Sequence, residues 1–470
     1  MNERGVVRVG VSLLLELLPS LFIVRGNLQR GILCLETTEP LQLSPQPPPF
    51  PSPNHPFLTP LPHLTTPNAT HRATQNLQKL GIFHGIDIQM QEATSHNPGE
   101  SDLLIKVAEK GIFTAYTGTS FTRDDINFEA SGSLRNPTGY AEILEGTYSR
   151  SQLGNRSVRL NLSKPRVRGA NVRLDCELHE DTLNYERTSS LREKVQALAF
   201  HLTTHNRRHR LTYEMALRDI LPRRHLTTPF AYDASLSIMR EATPSLKSAF
   251  KYKFTDDRRN DSVLPTDGTF FSGLLELAGV GVGDVAYVKA EVAGATHKSL
   301  GIGGISAHLS GVVGVVRPTS WRVREGGGEE GLLRTRFSDR YVLGGLQTLR
   351  GFGYSGVGPR AARKEGGCLR GDSLGGDLKY VATAALTVPV PVPLLDKFGL
   401  RWHVFADAGN LLPWSAPLAS MVSDMRVSCG TGLAMSVGVA RVELNYSVPL
   451  KKEGKDFEQR WQFGLAAHIG

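Results

Sequence analysis

The chain has 470 residues, 40% of them hydrophobic, with 48 glycines and a formal net charge of +9. Its length exceeds one ordinary soluble domain, and modest apolar content with abundant glycine suits β structure with many tight turns better than a bundle of membrane helices. The basic balance fits nucleic acid, an anionic membrane surface or a cationic pore and selects none of them, while Cys34, Cys176, Cys368 and Cys429 are scattered, with no C-x-x-C pair and no His at ligand spacing, so neither a disulfide framework nor a zinc site is indicated.

Residues 1–26 carry arginines followed by the apolar run V-S-L-L-L-E-L-L-P-S-L-F-I-V, which resembles a secretory signal peptide but is interrupted by Glu16 and Pro19. It has no small-residue cleavage site and is short for a membrane span. From Glu39 to Pro67 the chain is crowded with proline, which prevents a packed core. Residues 1–68 are therefore expected to form an atypical, disordered N-terminal segment. No other run reaches the apolar length of a transmembrane helix, so any membrane crossing must use strands.

Ordered structure is expected from Ala69, where Ala69, Ala73, Leu77 and Leu80 recur at helical spacing and Gly81 supplies a stop. Two strands are predicted next, G-I-D-I-Q-M-Q-E from Gly85 and D-L-L-I-K-V-A-E from Asp102, separated by the turn-rich H-N-P-G-E. A helix leading into two short strands resembles the second half of a POTRA module, the small polypeptide-binding domain that precedes certain outer-membrane barrels. Residues 69–110 would then be a partial module, with the proline tract in place of its first strand and first helix.

From residue 111 to 470 the pattern has period two. Val158, Leu160 and Leu162 oppose Arg159, Asn161 and Ser163; Val172, Leu174, Cys176 and Leu178 oppose Arg173, Asp175 and Glu177. Late in the chain Val442, Leu444, Tyr446 and Val448 oppose Arg441, Glu443, Asn445 and Ser447. Strands of about ten residues, apolar on one face and charged on the other, suit a tilted membrane barrel with a wet lumen. Sixteen or seventeen such runs can be drawn, depending on whether A-S-L-S-I-M-R-E-A from Ala234 belongs to the wall. An even number closes an antiparallel barrel with both termini on one side, so the Ala234 run is the candidate for exclusion and the expected fold is an all-β, sixteen-stranded antiparallel transmembrane barrel.

The strand pattern is interrupted from roughly Val315 to Ser373, too long for a hairpin turn. Within it G-G-G-E-E-G at Gly326–Gly331 reads as flexible, whereas R-Y-V-L-G-G-L-Q-T-L-R-G-F-G-Y-S-G-V-G-P, Arg340 to Pro359, reads as an ordered loop. Its glycines allow close backbone approach, and Arg350 can fork onto a carboxylate. In the later strand W-H-V-F-A-D-A-G, Asp407 shares a phase with His403, Phe405 and Gly409. If the other phase faces lipid, Asp407 points into the lumen and needs a partner, for which the loop arginine is the candidate.

Glycine clusters at Gly279–Asp284 and Gly301 do not open a helix after a parallel strand and read as turns, and H-N-R-R-H-R at His205–Arg210 reads as a hairpin loop rather than a nucleic-acid site. Asp, His and Ser residues show no triad spacing, so no enzyme, cofactor or metal is expected.

The combination resembles the bacterial surface antigen superfamily of outer-membrane assembly barrels. There an R-G-F or R-G-Y tip on a long loop folds into the barrel and pairs with the aspartate of an F-x-D-x-G strand. Leu349, Arg350, Gly351 and Phe352 match the first motif, and Phe405, Asp407 and Gly409 the second. Within that superfamily L-G-G-x-x-x-L-R-G-F, S-G-V-G-P, A-G-N-L and A-R-V-E-L-N-Y-S-V-P-L are most similar to the central barrel subunits of the mitochondrial sorting and assembly machinery. Gln462, Gly464, Ala467 and Ile469 fit the C-terminal signal, polar-x-Gly-x-x-apolar-x-apolar, of mitochondrial barrels.

The resemblance implies an insertase in the mitochondrial outer membrane. Its first strand, around Gly111–Thr122, would pair imperfectly with its last, around Arg460–Ile469, and admit an incoming strand. It also implies unfolded β-barrel precursors as substrates, membrane lipids as surroundings and metaxin-like accessory subunits as partners. Two alternatives stay open at this point: a translocating barrel of the plastid or bacterial outer membrane, and a passive porin.

Overall fold

The computed structural model describes residues 5–10, 32–33, 74–92, 101–122, 125–167, 170–223, 233–301, 303–319, 335–361, 371–391, 399–417, 419–437 and 440–467. The chain divides into two compact units, one of residues 1–114, 133–144 and 162–174, the other of residues 115–132, 145–161 and 175–470.

In the first unit, a short helix at 74–78 runs to Gly81, whose φ of +72° turns the chain out of the helix. Four strands, β1 (Gly5–Gly10), β2 (Ile32–Leu33), β3 (Phe83–Glu92) and β4 (Ser101–Glu109), lie in the order β2-β1-β4-β3. β3 and β4 form an antiparallel pair in which Ile86, Ile88 and Met90 oppose Val107, Ile105 and Leu103. β1 takes the other edge of β4, with its β-branched Val6, Val7 and Val9 opposite Lys106, Ile105 and Leu103. Of residues 1–68 only β1 and β2 belong to the described residues.

The second unit is built on a sixteen-stranded sheet. Its strands in chain order begin with β5 (Phe113–Thr122), β6 (Asp125–Arg135), β7 (Ile143–Ser151), β8 (Arg156–Lys164), β9 (Val172–Asn184), β10 (Leu191–Thr204) and β11 (His209–Pro222). Next come β12 (Ser245–Asp257), β13 (Gly268–Ala278), β14 (Tyr287–Ser299) and β15 (Ser306–Pro318). A two-residue strand, β16 (Gly351–Phe352), lies in the long loop. The wall resumes with β17 (Leu378–Pro389), β18 (Arg401–Leu412), β19 (Arg426–Val437) and β20 (Ala440–Lys451). A second short strand, β21 (Glu458–Gln459), precedes the last wall strand, β22 (Trp461–Ala467). Neighbours in sequence are neighbours in the sheet, which runs from β22 at one end to β5 at the other; among the described residues these two ends are not laddered to each other.

The wall is a membrane barrel turned inside out relative to a soluble protein. On β20, Leu444 and Val448 are 44% and 36% exposed while Asn445 and Ser447 between them are fully buried. On β18, Trp402 and Val404 lie outside and His403, Phe405 and Asp407 inside. Only a hydrocarbon surround makes that arrangement favourable, because apolar surface then needs no burial in protein and polar groups gather where water and partners are.

The run from Ala234 does not join the wall. Leu236–Glu241 is a short helix, and Ile238 packs into a buried cluster with Leu191, Ile220 and Phe337. Sixteen wall strands remain, as the parity argument requires. The long interruption falls between β15 and β17, and its Gly326–Gly331 segment lies outside the described residues. Residues 335–361 fold onto the lumen face of the wall, where Tyr341, Leu343, Leu349, Phe352 and Val357 share one buried cluster with Tyr287, Val316, Val381 and Leu411.

The orientation of β15 generates a direct test. Val313 is 55% exposed near the middle of the strand, whereas Ser310 has the lumen phase. Val313→Arg is expected to cost about 2–4 kcal/mol, the depth-dependent penalty of a cation on the lipid face, and Ser310→Lys far less. Urea unfolding in lipid vesicles measures both.

Candidate functional site

The site is built around a carboxylate that the strand pattern forces inward. Asp407 is 1% exposed, out of reach of bulk water, so its charge must be met by protein. Arg350 meets it with two parallel bonds: Nε donates to Oδ2 at 2.7 Å and a guanidinium NH2 to Oδ1 at 2.7 Å. The Arg350 backbone N–H adds a third at 3.2 Å. The guanidinium carbon lies 3.5 Å from the centre of the Phe405 ring, so the arginine is held flat between a carboxylate and an aromatic face. Phe405 and Asp407 both come from β18; Gly409, two residues on, pairs with Val381 of β17.

Arg350 reaches this place because the loop around it is tightly wound. Gly345 and Leu349 form an isolated bridge, the Gly344 N–H donates to Thr348 Oγ1, and Leu349 is fully buried. Gly351 follows with φ of +87°, and a side chain there would press on Ser428 and Ser447 of the wall. The Ser428 hydroxyl donates to the Arg350 carbonyl.

The same tip grips the last strand. The Gly351 N–H donates to Gln462 Oε1 at 3.1 Å, and Gln462 Nε2 donates to the Phe352 carbonyl at 2.8 Å. The Gln462 side-chain amide thus takes the part of a neighbouring strand toward β16, and β16 itself pairs with β21 through Gly351 and Gln459 and through Phe352 and Glu458. Two residues further on, a Cβ on Gly464 would overlap the end of the Leu346 side chain, so the loop lies directly on β22 at that glycine. Ala467 pairs with Ala440 along the backbone, and Ile469 lies outside the described residues.

The loop tip, the aspartate motif and the first half of the C-terminal signal therefore form one constellation. The Arg350–Asp407 pairing was legible in the sequence, whereas the clasp on Gln462 was not, since a glutamine at the start of a last strand carries no mark of its partner. Sequence reading also missed the ion pair of Arg218 with Asp339, at 2.7 and 3.2 Å, and the buried cluster in which Arg426 meets Asp456 at 3.0 Å. Burial alone would raise the Asp339 carboxyl, but the charges of Arg218 and Lys247 outweigh it and hold that group below the ordinary aspartate range. Among the described residues, no group of three or more His, Cys, Asp or Glu is arranged to hold a metal ion.

A family model described as the Omp85 superfamily domain matches residues 136–468. The chain is 29% identical over 415 residues to a SAM50-like protein of Schizosaccharomyces pombe, covering 85% of this chain and 82% of the relative. It is 27% identical over 398 residues to the sorting and assembly machinery component 50 homolog of Homo sapiens, covering 81% and 78%. Among solved structures, BamA from Haemophilus ducreyi lacking POTRA domains 1–3 superposes with a TM-score of 0.68 at 17% identity, covering 85% of this chain and 78% of that one, a likeness of fold.

Arg350→Ala and Asp407→Ala are each expected to lower stability by about 3–5 kcal/mol, because each leaves the other charge buried without its partner. The double variant is expected to lose clearly less than the sum, and a double-mutant cycle by urea unfolding in vesicles reads the difference.

Proposed function

Because the chain belongs to the Omp85 superfamily, we propose that it is a barrel-assembly insertase, folding β-barrel precursors and releasing them sideways into the mitochondrial outer membrane between β5 and β22. The observation that carries this reading is the clasp of Gly351 and Phe352 on Gln462, which joins the lumen loop to a wall strand whose outer edge is not laddered among the described residues. An unpaired edge inside a bilayer is costly, since no water is present to bond its N–H and C=O groups. A precursor strand that adds to β5 or β22 satisfies them and is itself shielded as it forms hydrogen bonds. Each further hairpin then extends the growing sheet until it closes and parts. Burial of apolar surface in lipid and completed backbone bonding drive the process, and no covalent step is needed.

The bore argues for a lateral route over passage through the barrel. Besides the lumen loop, the β12–β13 turn spans one end of the lumen: Arg441 on β20 donates to the Val263 carbonyl at 3.3 Å, and Leu264, 9% exposed, packs toward Gly399 ahead of β18. Strands β14, β15, β17, β18 and β19 separate β13 from β20 in the sheet, so this contact reaches across the opening. A passive porin or a translocator needs that path clear.

The curated relatives carry the name of a sorting and assembly machinery, which supports a place in an assembly complex; the proposal adds unfolded β-barrel precursors as substrates, metaxin-like accessory subunits as partners and the mitochondrial outer membrane as the location. In this reading Gln462, Gly464, Ala467 and Ile469 are the chain's own insertion signal, and residues 69–110 are a partial POTRA-like module that receives the precursor ahead of the barrel.

The test is site-specific crosslinking from single cysteines on the two edge strands to a radiolabelled barrel precursor arrested during import. Thr117 on β5 and Phe463 on β22 are exposed and suited to it, whereas Gly464 is filled by Leu346. Crosslinks to the precursor's last strand are the expected result. Solute flux through the bore without such crosslinks would favour a pore.

A further inference from the structure

Among the contacts that fasten the lumen loop to the wall are two ion pairs at separated places. The loop tip is held by Asp407 on β18, and its root by Arg218 on β11, with β12, β13, β14, β15 and β17 between those two strands. At the root, Asp339 is 1% and Arg218 6% exposed at their side chains, and the guanidinium forks onto both carboxylate oxygens. Lys289 Nζ donates to the Asp339 carbonyl at 3.0 Å. Tyr341, two residues along, lies with Lys289 and Lys379 at 4.3 and 4.5 Å from its ring centre and donates its hydroxyl to the Ala290 carbonyl.

None of these contacts belongs to the ladder of the wall, whose strands β11 to β15 are paired through their own backbones. What they fix is where the loop begins. Between root and tip the chain is compact: Tyr341 bridges Gly376, Leu343 bridges Val357, and Leu343 and Leu349 are buried. Asp339 and Arg350 are thus charged anchors at the two ends of a short, packed segment. The residues next to the tip anchor, Gly351 and Phe352, are those that hold Gln462.

We propose that Asp339 is a positioning residue for insertion: by tying the loop root to Arg218 it sets the place at which the tip meets β22, and so the state of the wall's free edge. The inference rests on the insertase reading above, and the experiment separates the two. In full-length protein in native membranes, with Cys34, Cys176, Cys368 and Cys429 replaced by alanine, cysteines at Leu346 and Gly464 report whether the loop lies on β22, since Leu346 fills the space above that glycine. Precursor crosslinking from Phe463→Cys reports engagement.

Asp339→Asn keeps the shape of the side chain and removes its charge. It is expected to lower the yield of the Leu346–Gly464 disulfide several-fold and to change precursor crosslinking at least as much. The exchange Arg218→Asp with Asp339→Arg is expected to restore both relative to either single exchange, which a general loss of stability would not produce. If Asp339→Asn fails to accumulate, Arg218→Lys, which keeps the charge but not the fork, takes its place with the same expected changes. Disulfide yield and crosslinking at wild-type levels in the variant that accumulates, while the parent protein crosslinks precursor, would overturn the proposal. Absence of crosslinking by the parent itself would instead count against the insertase reading, and the disulfide yield would still decide whether Asp339 positions the loop.

Discussion

A carboxylate on the inner face of a membrane wall cannot be left alone, and much of this molecule follows from how Asp407 is satisfied. Its partner is not on a neighbouring strand, where a simple cross-strand pair would have served, but on the tip of a loop that leaves the sheet between β15 and β17 and returns to its lumen face. Meeting that charge requires the loop to be inside, its backbone to be wound closely enough to present Arg350, and Phe405 to stand beneath the guanidinium. Once the arginine is seated, Gly351 and Phe352 are brought against Gln462 on the last strand. One ion pair thereby connects the centre of the lumen to the edge of the wall.

Lipid supplies the other half of the logic. Leu444, Val448, Trp402 and Val404 can stay outside because hydrocarbon surrounds them, which frees the interior for a polar network no soluble core of this size would tolerate. Asp339 with Arg218, and Arg426 with Asp456, are members of that network and are paired with good geometry. Among the described residues, the lumen face of the wall carries a charged packing layer.

Much of this was legible in the sequence, for identifiable reasons. Alternation with period two fixes which side chains share a face, so the inward orientation of Asp407 and the outward orientation of Leu444 followed from phase alone. The exclusion of the Ala234 run followed from parity, and its helical form from packing of Ile238 against Leu191 and Ile220. Contacts between distant elements were not legible. Arg218 looks like any charged residue on a wet face, Asp339 like any loop aspartate, and nothing near Gln462 announces that its amide bonds a chain 110 residues away. The pairing of Arg350 with Asp407 escaped that limit because two motifs had to be explained together: a lone inward carboxylate and a lone arginine among glycines.

The turn between β12 and β13, fastened to Arg441 across one end of the lumen, bears on the tightness of the membrane. A barrel that parts its wall to pass a strand risks becoming a hole, through which ions and metabolites would run down their gradients each time it worked. In the proposed insertase, a bore spanned at one end by that turn and occupied by the loop would let the wall yield sideways without opening a leak path, so sealing and opening would fall to different parts of the same chain.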